Sequence, residues 1–261
     1  MYRLAAIDLD GTLLNSANAM SEGNAEALRW LVARGVHVAA ATARSYESAM
    51  LQFEPHGIQP ASVCCGGADV RRANGSIIVQ TPLPLEFTRF IAALSDRVGW
   101  TATLSTADFT FRRESQAPSW AVAPRPRLKV VESFAEIDLD GMLTALIQPE
   151  VDDPHLDKLY AWEGRVALHR ALSFNGGEIV TATATDAHKG HGLRHLCEAL
   201  GVALSEVVVF GDSEVDLPMF EVAGHAVAVA NATPRVVARA GSMTLTADED
   251  GVAVAIRRLW G

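Results

Sequence analysis

Arg3-Leu4-Ala5-Ala6-Ile7-Asp8-Leu9-Asp10-Gly11-Thr12 is the stretch that decides the fold. A short apolar run closes on two carboxylates and a turn signal. Strand side chains alternate, so Asp8 and Asp10 are expected on one side and Leu9 on the other. Two carboxylates on one side repel unless something cationic offsets them. The carboxyl ends of parallel strands are also where open α/β folds bind ligands. Gly11-Thr12 lets the backbone turn sharply just after the pair.

Outward from this stretch, strand and helix signals alternate. Ser21 can cap a helix running to about Arg34, with Leu28, Leu31 and Val32 on its apolar stripe. Val36 to Ala41 reads as a second buried strand, Ser45 starts another helix, and Ala61 to Cys65 reads as a third strand. Val70 to Val79, with Asn74-Gly75 in the middle, reads as a hairpin. The alternation returns near the C-terminus. His188 to Leu200 is expected to be helical, Glu206 to Phe210 a strand, Ala226 to Ala230 a strand, and Gly251 to Leu259 a closing helix. Such alternation implies α/β architecture: a Rossmann-like parallel sheet with helices on both faces.

The middle of the chain reads differently. It is rich in proline, and its helical stretches (Leu85 to Val98, His155 to Trp162) sit among strand-like pieces such as Trp100 to Leu104 and Met142 to Ile147. The expectation is an inserted α+β domain at residues 82–185 in a core made of 1–81 and 186–261. An insert in a split domain can close over whatever the sheet binds.

Composition narrows the class. The chain has 261 residues, 22 Lys and Arg against 31 Asp and Glu, and 49% hydrophobic residues, which suits a globular protein of one or two domains. A net charge of −9 argues against a general nucleic-acid binder. No apolar run approaches the roughly 18 residues of a membrane span, and the N-terminus does not read as a signal peptide. Cys64, Cys65 and Cys197 lack disulfide or zinc spacing, so reduced cysteines and a cytoplasmic location are expected. No nucleic-acid and no membrane partner is expected, and the chain is expected to be a monomer or weak homo-oligomer.

A second carboxylate pair follows a second strand, in Phe210-Gly211-Asp212-Ser213-Glu214-Val215-Asp216. Asp216 is four residues after Asp212, on the same face if a helix starts here. Either pair alone reads as turn or cap residues. The two together, each just past an apolar strand, point to a shared crevice. Mg²⁺ is the natural partner for converging carboxylates, because it takes hard oxygen ligands and keeps its waters.

Here the residues carry a resemblance. Asp8-Leu9-Asp10-Gly11-Thr12-Leu13-Leu14 resembles the opening motif of the haloacid dehalogenase-like superfamily. Thr42-Ala43-Arg44 resembles its second motif, Lys189-Gly190 its third, and Gly211-Asp212 with Asp216 its fourth. The insert between the second and third motifs, with Asp250-Gly251-Val252-Ala253 near the end, is similar to the Cof-type sugar-phosphate phosphatases. The resemblance implies a Mg²⁺-dependent phosphatase whose partner is a small phosphorylated metabolite of the sugar-phosphate class, and in which Asp8 is the nucleophile and forms an aspartyl-phosphate. Asp10 would be the general acid and base, which requires a proton on it at the start. Thr42, Ala43, Arg44 and Lys189 would bind phosphate or substrate. Asp8, Asp10 and Asp212 would hold the metal, with Asp216 acting through water or by orienting Lys189, and Ser213 as a further candidate ligand. A sugar phosphomutase and a non-catalytic binder of phosphorylated metabolites are the competing readings.

Three departures bear on phosphate binding. Ala43 stands where glycine is usual, and its methyl group is expected either to narrow the phosphate pocket or to force the backbone to adjust. Val215 replaces a usual asparagine, and Gly66-Gly67-Ala68 replaces Asn-Gly-Ala. Outside the motifs, His188, His191 and His195 read as a solvated helix face rather than a metal cluster. Arg112, Arg113 and Trp120 read as exposed arginines and a packed tryptophan rather than as a grip on substrate.

Overall fold

A computed structural model describes residues 1–113, 127–150, 153–172 and 178–261, so Trp120 lies outside the described residues. The chain divides into two compact units, Met1–Gln80 with Ala187–Gly261, and Thr81–Asp186.

The first unit begins with β1 (Leu4–Ile7), α1 (Glu22–Val32), β2 (His37–Ala41), α2 (Tyr46–Met50), β3 (Ala61–Cys64), β4 (Asp69–Arg71) and β5 (Ile77–Gln80). In the second unit follow α3 (Leu85–Val98), β6 (Thr101–Ser105), β7 (Thr110–Arg113), β8 (Leu128–Val131), β9 (Thr144–Gln148), α4 (Leu156–Tyr160), β10 (Ala167–Leu172) and β11 (Glu178–Thr183). The chain then completes the first unit with α5 (Lys189–Leu200), β12 (Val207–Gly211), α6 (Leu217–Phe220), β13 (His225–Ala228), α7 (Pro234–Val237), β14 (Ser242–Met243) and α8 (Gly251–Trp260).

The sheet of the first unit has the order β14-β13-β12-β1-β2-β3-β4-β5. The pairings from β14 to β3 are parallel, and the β4–β5 hairpin closes one edge antiparallel. Alternation along β1 divides the core. Ala5 and Ile7 pack in a layer with Leu28, Leu31, Val252 and Ile256, whereas Leu4 and Ala6 pack in the opposite layer with Leu193, Leu196 and Met219. Both faces are therefore covered, which explains why the strands read as continuous apolar runs rather than alternating ones. Ser21 does cap α1, accepting from the Asn24 N–H at 3.1 Å. Val32 was expected on the apolar stripe but is exposed, because it is the last helical residue and the chain leaves the layer there.

β1 lies between β12 and β2, so the chain leaves it in both directions across the sheet. Such a reversal opens a crevice at the carboxyl ends of the central strands. The residues after β1, β2 and β12 meet there.

In the second unit a six-stranded sheet of order β10-β11-β9-β6-β7-β8 carries a core of Phe87, Ile91, Trp100, Leu104, Phe134, Ile147 and Leu159. Arg113 is engaged by Asp96 at 3.0 Å, so it serves the packing of this unit. Among the described residues, no helix is long and apolar enough to cross a membrane.

Candidate active site

Asp8 follows β1 directly. Its N–H donates to the Phe210 carbonyl of β12 at 3.0 Å, which seats it at the middle of the sheet, and the residue is only 5% exposed. β12 ends at Gly211 and delivers Asp212 beside it. Asp216 sits on the single turn Glu214–Asp216 and folds back over the strand end. Its Oδ2 accepts from the N–H groups of Asp212 (2.9 Å) and Ser213 (3.0 Å). A Cβ on Gly211 would lie 2.6 Å from the Asp216 carboxyl group, so glycine is needed there for the carboxylate to return.

Lys189 opens α5 and is 2% exposed. Its Nζ donates to Asp8 Oδ1 at 2.5 Å and to Asp216 Oδ1 at 2.6 Å. The turn after β3 presses against the residue before Lys189, since a Cβ on Gly67 would stand 2.3 Å from the His188 carbonyl oxygen. Gly66, in place of the usual asparagine, has φ +68°, a left-handed conformation that suits both residues. Thr42 is buried beyond β2, and its hydroxyl accepts the Arg44 N–H at 3.1 Å, which leaves its proton free to donate. Thr12 donates to Asp212 Oδ1 at 3.1 Å.

One oxygen from each of Asp8, Asp212 and Asp216 lies within 4.8 Å of the others. One ammonium therefore faces three carboxylates in a largely buried place. Burial drives Asp8 up to about 8 against the pull of Lys189, and Asp216 and Asp212 add to the rise. Asp212 is raised too, by burial and by Asp216. Lys189 is buried, which opposes its charge, but Asp8 and Asp216 outweigh that and raise it. The excess of negative charge and the hard oxygen donors fit a divalent cation. Asp216 already spends Oδ1 on Lys189 and Oδ2 on two N–H groups, so it suits orienting better than direct ligation.

Asp10 departs from the expected placement. It does not join the carboxylate cluster; its side chain is 57% exposed and pairs with Arg44. The alternation that would aim it beside Asp8 needs a continuing strand, but β1 stops at Ile7 and the chain has turned by Thr12, whose N–H bonds the Leu9 carbonyl. Ala43 is exposed and outside the left-handed region, so alanine fits this backbone without strain. Val215 is exposed as well. Ser213 turns its hydroxyl toward Asp216 Oδ2 at 3.4 Å. His188 accepts the His191 N–H as the cap of α5, and His191 and His195 bond each other at 3.0 Å, apart from the carboxylates. All three cysteines are free and buried.

Two contacts had no motif to announce them. Asn231 donates to the Gly11 carbonyl at 2.7 Å and so braces the turn after Asp8. Asn18 accepts from Arg44. Both join segments far apart in sequence, and no spacing rule points to such a pair.

The family model for haloacid dehalogenase-like hydrolase matches residues 5–256. Phosphatase YwpJ of Bacillus subtilis (strain 168) is 28% identical, with 98% of this chain and 99% of that protein covered. From the same organism, 5-amino-6-(5-phospho-D-ribitylamino)uracil phosphatase YitU is 26% identical, covering 96% of this chain and 94% of the relative. The crystal structure of TM0651 from Thermotoga maritima superposes with a TM-score of 0.85 at 26% identity, over 100% of this chain and 98% of that one. The chain belongs to the haloacid dehalogenase-like hydrolase family. Within it, this is an enzyme of the Cof-type branch, a phosphatase.

Proposed function

We propose that the protein is a Mg²⁺-dependent phosphatase of a small phosphorylated metabolite, of the sugar-phosphate class, working through an aspartyl-phosphate on Asp8. The supporting observation is Lys189 buried between Asp8 and Asp216, with Asp212 alongside, where the central strands end. The relative YitU bears the name of a phosphatase for a phosphorylated ribityl compound, which supports a polyhydroxylated leaving group.

Lys189 grips Asp8 Oδ1 and leaves Oδ2 to attack phosphorus. As the new P–O bond forms, the bond to the leaving oxygen breaks; Asp10, whose two oxygens accept from Arg44, would have to leave that pair and carry a proton to protonate the leaving oxygen. Water then attacks phosphorus, the bond from phosphorus to Asp8 Oδ2 breaks and frees the carboxylate, Asp10 takes up the water's proton, and inorganic phosphate departs. Thr42 and Lys189 steady the phosphoryl oxygens and the charge that builds on them. Asp8 and Asp212 would hold Mg²⁺, with Asp216 orienting Lys189 and the Asp212 backbone. When bound, the ion supplies charge neutralisation and a fixed template for the phosphoryl group. Selectivity for the leaving group is assigned to the inserted unit.

A panel of sugar phosphates and other phosphomonoesters, assayed for phosphate release with Mg²⁺, tests this reading. Turnover is expected to favour a sugar phosphate and to vanish with EDTA. Metal-independent turnover, or none on any compound, would defeat it.

A thermal measurement probes the charge excess separately. An unfolded aspartate releases its proton near 3.8, whereas Asp8 in the fold holds its proton to about 8. The folded state therefore binds the extra proton between those values, and the metal-free protein loses stability as pH rises through that window. Mg²⁺ replaces the proton, so it is expected to raise the melting temperature more at pH 8 than at pH 5.5. An equal shift at both pH values would count against metal binding at Asp8.

A further inference from the structure

Arg44 has five N–H donors in a fixed plane. Nε donates to Asp10 Oδ2 at 2.9 Å, and Nη2 donates to Asp10 Oδ1 at 2.5 Å and to Asn18 Oδ1 at 2.5 Å. These bonds use three donors. The two on Nη1 have no partner among the described residues, although the side chain is only 18% exposed. An arginine with one edge spent and one nitrogen open has the geometry for an anionic oxygen.

Asn18 is placed for this contact by its own small loop. Asn15 Oδ1 accepts from the N–H groups of Ala17 and Ala19, both at 3.1 Å, and the Asn18 N–H donates to the Asn15 carbonyl at 2.8 Å. Asn18 itself has φ +58°, uncommon for a residue with a side chain. The loop is exposed and buries little, so packing does not explain its shape.

We infer that Asn18 is a positioning residue: by taking one hydrogen of Arg44 Nη2 it fixes the guanidinium plane, so that Nη1 faces the phosphoryl group or another anionic group of the substrate. Without Asn18, Asp10 alone restrains the guanidinium. Asp10 is itself exposed, so the pair is free to swing together. The inference rests on the phosphatase reading but concerns a residue outside its motifs.

Asn18→Ala, Asn18→Gly and Asn18→Asp test it with p-nitrophenyl phosphate and Mg²⁺. The glycine variant keeps the backbone conformation and removes the acceptor; the aspartate variant keeps the acceptor. Ala and Gly are expected to raise KM about 5–10-fold with kcat changed less than about twofold, the signature of lost ground-state binding. The inhibition constant of inorganic phosphate should rise in parallel, and Asp should stay within about twofold of wild type. If glycine behaves as wild type, the loop conformation is what matters and the inference fails. It fails equally if kcat falls while KM stays, or if Asp is as impaired as Ala. Calorimetric titration of the same proteins with inorganic phosphate separates this test from the phosphatase reading. Should the wild type bind phosphate without turning over an ester, the Asn18 series is read from Kd alone; no phosphate binding by any form would overturn it.

Discussion

Asp8→Asn is expected to abolish phosphate release while leaving the fold intact. Asparagine has nearly the same shape, and its amide oxygen can still accept from Lys189 Nζ, which lies 2.5 Å from Asp8 Oδ1. It cannot form the acyl phosphate, because a neutral amide is a poor nucleophile at phosphorus. Removing the nucleophile of a covalent enzyme costs about 10⁴-fold or more in kcat. Stability should move the other way. Burial penalises the Asp8 charge and two further carboxylates face it, so the metal-free variant should melt no lower than wild type at pH 8. Phosphate release and calorimetric melting on the same preparation check both halves. A variant that stays active would remove Asp8 from the chemistry; one that is inactive because it is unfolded would leave the charge argument refuted.

Lys189→Met is expected to damage both activity and stability. Nζ donates to both Asp8 and Asp216, and the side chain is 2% exposed. Methionine fills much of the volume but leaves three converging carboxylates with no ammonium. Breaking a buried ion pair on one side costs about 3–5 kcal/mol. Loss of charge stabilisation at the phosphoryl group should lower kcat by about 10²–10³-fold, the scale of a deleted electrostatic donor. Mg²⁺ should return part of the lost stability, since it offsets the same carboxylates. Denaturation curves with and without Mg²⁺ report this directly. Unchanged stability in both conditions would mean that the triad does not carry the charge balance described above.

The sequence alone carries the placement of several of these side chains. Asp8 and Asp212 could be located because each follows a buried strand, and buried parallel strands are written as unbroken runs such as Leu4–Ile7 and Val207–Phe210. Lys189 needed the motif order, since an isolated lysine ordinarily reads as solvated surface. Asp10 shows where local reasoning stops. Period-two alternation holds only while the strand lasts, and here it ends three residues too soon.

What local patterning determined by itself was the alternation of elements, the cap at Ser21, the hairpin around Asn74-Gly75 and the residues that end the central strands. These follow from short-range rules of periodicity, turn chemistry and capping. Tertiary structure alone decided that Lys189 bridges Asp8 and Asp216, that Arg44 pairs with Asp10, and that Asn18 and Asn231 reach across to brace them. Each of those contacts joins segments tens to hundreds of residues apart. Their geometry depends on strand order and on close backbone approach at Gly67 and Gly211, which no local pattern encodes.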